Sequence, residues 1–166
     1  MNWEAIGAIG EIVGALAVVL TLGYLAVQTR HSAASTQSAT ELDASKQISA
    51  FVTRITYSKT LQRIWDDAQT NATLSPEDYR QYLWLMADYF HMSEGVFIQH
   101  QKGYVSDEVW GEFERIMVGF LQTKPTQEWW NNRNSPFSES FYAHVDGLIN
   151  GKPDWTMPNV VETPAK

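Results

Sequence analysis

The sequence predicts an all-α protein, and three observations carry that reading. No stretch alternates apolar and polar residues over strand length. From Ser58 onward the chain is punctuated by Ser or Thr followed by Pro or acids, the signature of helix starts. Finally, Ile6 to Val27, IGAIGEIVGALAVVLTLGYLAV, is one apolar run with no Lys, Arg or Pro and a single charge, Glu11. At ~1.5 Å per residue that run matches ~30 Å of hydrocarbon, so residues 1–29 are expected to form a transmembrane helix.

On a helical wheel, Glu4, Glu11, Val18 and Leu25 repeat every seven residues, and Gly7, Gly14, Thr21 and Gln28 form a second such series offset by three. Together they make an a/d seam, the pattern by which helices wind around copies of themselves. Gly7, Gly10 and Gly14 permit close backbone approach, Gly10-x-x-x-Gly14 being a small-xxx-small pair. The opposite face carries Ile9, Ile12, Val13, Leu16, Val19, Leu20 and Val27, the expected lipid contact. A homo-oligomer is therefore expected.

A carboxylate inside a membrane has to face protein or water. Glu11 has three open readings: protonated and hydrogen-bonded across a helix contact, one member of a ring lining a pore, or a proton carrier whose pKa is raised by burial. In the pore reading Glu4 forms a second ring ~10 Å nearer the N-terminus. Glu4, Glu11, Thr21 and Gln28 then line the path, with Val18 and Leu25 as hydrophobic constrictions. Stacked carboxylate rings concentrate cations and favour divalent over monovalent ones. A cation at Glu4 and Glu11 is the one metal site expected.

The Met-Asn-Trp-Glu start argues against a cleaved signal peptide. Arg30 follows the apolar run and no Lys or Arg precedes it, which places the N-terminus outside and the remainder in the cytoplasm. The chain has 166 residues, formal net charge −7 and no cysteine, which excludes disulfides, thiolate catalysis and Cys-based metal sites. Its 12 Lys and Arg are spread among acids rather than clustered, so no nucleic-acid surface is expected.

The elements then follow in order. Residues 30–57, rich in Ala, Ser and Thr, continue the first helix as a polar stalk, with Leu42, Ile48, Phe51, Val52 and Ile55 apolar at helical spacing. A helical domain over 58–151 opens with Ser58 capping Leu61, Ile64 and Trp65. Ser75-Pro76-Glu77-Asp78 starts a helix that runs to about Gln101 and ends at Gly103. Ser106-Asp107-Glu108 starts the next, with Val109, Trp110, Phe113, Ile116, Met117, Phe120 and Leu121 inward. Thr123 to Thr126 reads as a turn, Thr126 capping a short helix with Trp129 and Trp130. Ser135 or Ser138 opens the last helix, ended by Gly151 and Pro153, and 152–166 reads as an irregular tail.

Three blocks, NWEAIGAIGEIVGALAVVLTLGYLAVQTR, LSPEDYRQYLWLMADYFHMSEGVFIQHQKGYVSDEVW and WWNNRNSPFSESFYAHVD, together resemble uncharacterised bacterial proteins with one N-terminal membrane helix. The resemblance implies a bacterial inner-membrane setting and a helical cytoplasmic domain, and it supplies no catalytic residues.

Asp88, His91 and Glu94 share a helix face, but no matching Asp-x-x-His half exists elsewhere, so capping or pairing is the better reading. No phosphate loop, HExxH or nucleophile elbow is present. No enzyme and no cofactor are expected. Trp129 and Trp130 are candidate interface anchors or core residues. The leading expectation is a homo-oligomeric cation channel, its partners being copies of itself, the lipid bilayer and divalent or monovalent cations. The rival is a membrane-anchored protein-interaction or scaffold module without transport.

Overall fold

The computed structural model describes residues 3–133 and 135–151, with all their side chains except those of 4–6, 8–10 and 12–13. Among these residues lie six helices and no strand: α1 (Trp3–Thr56), α2 (Lys59–Gln69), α3 (Pro76–Gln101), α4 (Asp107–Leu121), α5 (Lys124–Asn131) and α6 (Glu139–Asn150). The all-α class is what the sequence predicts. The expected irregular tail lies outside the described residues. The chain divides into two units between Ala39 and Thr40.

Four helices of the second unit begin as local chemistry dictates. The hydroxyls of Ser58, Ser75, Ser106 and Ser138 accept the backbone N–H three residues on, from Leu61, Asp78, Val109 and Phe141. Each bond satisfies one of the amides that have no acceptor in a helix's first turn. α5 departs from the sequence reading. It starts at Lys124, with Thr123 in the N-cap position and Pro125 inside its first turn. Proline's missing N–H costs nothing there, so Lys-Pro-Thr is a helix start rather than a turn. Thr126 is buried instead of capping.

α3 is the centre of the second unit. It buries Tyr82, Leu85, Met86, Tyr89, Phe90, Ser93, Val96 and Phe97, the three-and-four spacing of one helix face. α2, α4 and α5 pack on it, and α6 packs on α4. The last part of α1 belongs to this core: Ala44 and Phe51 are buried, and the Phe51 ring lies 5.2 Å from that of Tyr89. The buried Ser93 hydroxyl is satisfied, its Oγ donating to the Tyr89 carbonyl at 2.8 Å.

The first unit overturns the membrane reading. Among the described residues no helix is long and apolar enough to cross a membrane. Residues 1–29 are thus not supported as a transmembrane helix. The inner-membrane location, the outside N-terminus and the channel built on that span fall with it. Glu11 puts a charge within the apolar run, and the exposed Gln28, Thr29, Arg30 and His31 follow Val27, each of which lowers the hydropathy of the helix there.

Candidate interaction surfaces

Of the seam residues, Gly7, Glu11, Gly14, Val18, Thr21, Leu25 and Gln28 are exposed, while the side chain of Glu4 and the exposure of Gly10 fall outside what is described. Thr21 Oγ1 donates to the Ala17 carbonyl at 2.8 Å, and Thr29 Oγ1 does the same to Leu25. Both hydroxyls are spent on their own helix. Eight large apolar side chains between Leu16 and Val27 are each 51–73% exposed.

In the second unit, Asp88, His91 and Glu94 turn to separate partners. Asp88 takes Arg54 at 2.6 Å, and Glu94 Oε1 accepts the Ser138 backbone N–H at 2.7 Å. The nearest approach within the trio is His91 to Glu94 at 4.0 Å. His100 pairs with Asp107 at 2.9 Å, and His144 with Glu114 at 2.7 Å. Among the described residues no three His, Asp or Glu side chains gather as metal ligands do.

Trp129 and Trp130 are 6% and 2% exposed, both rings 5.2 Å from that of Phe90. The Trp130 indole N–H donates to Asp146 Oδ1 at 2.9 Å, and the Arg133 guanidinium lies over the Tyr142 ring at 4.3 Å. Arg133 also donates to Asp146. Burial alone would raise the Asp146 pKa, but these two donors outweigh it and hold the carboxyl below its ordinary value.

An apolar trough of about 380 Å³ opens between α1, α2, α3 and α4, lined by Ile48, Phe51, Val52, Ile55, Thr56, Trp65, Tyr89, Ile116 and Phe120. Phe51, Tyr89 and Phe120 are buried, and Val52 stands exposed. The sequence places Ile116 and Phe120 on an inward helix face and Ile48, Phe51, Val52 and Ile55 at helical spacing on another helix. It carried no signal that four elements would leave space between them.

No family model, no curated protein and no solved structure matches the chain. The resemblance to bacterial proteins with a single membrane helix is thus unsupported, and among the described residues no helix is long and apolar enough to cross a membrane, which speaks against it.

Proposed function

We propose that the chain is a self-assembling interaction scaffold rather than a catalyst, its copies joined through the apolar segment of α1. The observation that carries this is the set of eight exposed apolar side chains between Leu16 and Val27. An exposed patch of that kind marks a surface made to be covered. At ~100° per residue, Leu16, Leu20 and Val27 share one face, and Val18, Leu22 and Leu25 share the opposite one. A single neighbour covers only one of them, so the assembly takes three or more copies. Gly7 and Gly14 lie on the Val18 side, where they let backbones come close. Glu11, on the same side, stays at a wet edge of the contact or pairs across it.

The test is the mass of the full chain by light scattering and native mass spectrometry. Three or more copies are expected, reduced to a monomer by Leu20→Lys combined with Leu22→Lys at unchanged helix content. A wild-type monomer or dimer at tens of micromolar overturns the proposal.

A further inference from the structure

The trough lies in the second unit, apart from the Leu16 to Val27 segment, and its chemistry is specific. Its volume, about 380 Å³, falls within the range of small-molecule sites. At ~30 Å³ for each water-sized group it holds roughly a dozen heavy atoms. Four aromatic rings and four aliphatic side chains make its wall. Two hydroxyls on that wall have no hydrogen to offer: Thr56 Oγ1 donates to the Val52 carbonyl at 2.9 Å, and Tyr89 Oη donates to the Phe113 carbonyl at 3.1 Å. A polar ligand body would forfeit its water without replacement there. A hydrocarbon would not.

One donor on the trough wall and one close to that wall in sequence are unspent. The Trp65 indole N–H makes no hydrogen bond among the described residues, although its ring is fixed edge-on to Phe120 at 5.1 Å. Lys59, exposed three residues past Thr56 at the α1–α2 turn, makes no ion pair among them. An apolar channel with a spare cation and a spare N–H suits a chain that ends in an anion. We propose that this trough binds the tail of a single-chain fatty acid, its carboxylate toward Lys59 and Trp65.

The experiment is titration of dodecanoate, below its micelle threshold, into the full-length chain by isothermal calorimetry. One saturable site per chain is expected, with dodecanol bound several-fold more weakly because it lacks the charge. Lys59→Ala should weaken dodecanoate about threefold, as a surface charge pair allows. Val52→Trp grows a ring into the trough from its exposed edge and should abolish saturable binding with helix content intact. Independently of that variant, dodecanoate brominated at its tail should quench wild-type fluorescence, and Trp65→Phe should remove most of the quenching. No saturable binding, or quenching that persists in Trp65→Phe, overturns the proposal. So does binding that survives Val52→Trp but disappears with the Leu20→Lys, Leu22→Lys pair, which places the ligand on α1. Dodecanol bound as tightly as dodecanoate overturns the anionic end.

Discussion

Glu94 Oε1, in the last third of α3, accepts the backbone N–H of Ser138 at 2.7 Å and so holds the residue that caps α6 in place. The same device recurs twice. Glu41 Oε1 on α1 accepts the Ser106 N–H before α4 at 2.9 Å, and Asn71 Oδ1 accepts the Lys124 N–H of α5 at 2.8 Å. Each helix start is thereby tied to an element distant in sequence. Glu94→Ala should lower stability by about 1–2 kcal/mol and speed amide exchange at residues 138–141. Glu94→Gln, whose amide oxygen still accepts, should recover most of the loss. Thermal melts and hydrogen exchange check both.

Tyr82, Thr123 and Thr126 form a closed set of buried hydroxyls, with Tyr82 Oη 2.7 Å from Thr126 Oγ1 and 3.2 Å from Thr123 Oγ1. Thr123 Oγ1 also donates to the Phe120 carbonyl at 2.9 Å. Tyr82→Phe strips a shared partner from two buried hydroxyls. It is expected to cost about 1–2 kcal/mol and to lower Tm by roughly 4 °C per kcal/mol for a domain of this size. Thermal unfolding followed by circular dichroism measures it.

Acid should weaken the fold through Asp78 and Asp146. Hydrogen bonds from Arg63 and then Ser75 hold the Asp78 carboxyl below its ordinary value of 3.8. A carboxyl whose pKa falls on folding contributes stability that is present above its unfolded value and is lost as pH drops through the folded one. Stability on account of these groups should be level down to about pH 5 and decline below it. Asp78→Asn should make the decline shallower in denaturant titrations at stepped pH. An unchanged slope would refute the assignment.

Gln69 Nε2 is buried without a hydrogen-bond partner among the described residues. A buried orphan donor costs about 1–3 kcal/mol. Gln69→Met keeps the length of the side chain and removes the amide, so urea unfolding should move to higher midpoint by about 1 kcal/mol at constant slope.

What could be read from the sequence was local. Ser58, Ser75, Ser106 and Ser138 cap residues three positions away, a distance over which chemistry alone decides. Thr126 was misplaced because Lys-Pro-Thr suits both a turn and a helix start, and the choice rests on its burial beside Tyr82. The caps from Glu41, Asn71 and Glu94 left no trace, since donor and acceptor meet only after packing. For Trp129 and Trp130, neighbours ~100° apart on a helix, two buried indoles require the broad cover that Phe90 and Phe137 supply. Nothing in two adjacent letters specifies that cover. The run from Ile6 to Val27 misled in the opposite way: composition promised a membrane span, while among the described residues no helix is long and apolar enough to cross a membrane.

The Trp129 and Trp130 rings sit 6.1 Å apart with their planes at 60°. At that separation and tilt their electronic transitions couple, giving ultraviolet circular dichroism a paired positive and negative band that isolated indoles lack. The domain therefore contains its own optical gauge of side-chain order, one that fades when the aromatic interior loosens even while helical signal survives.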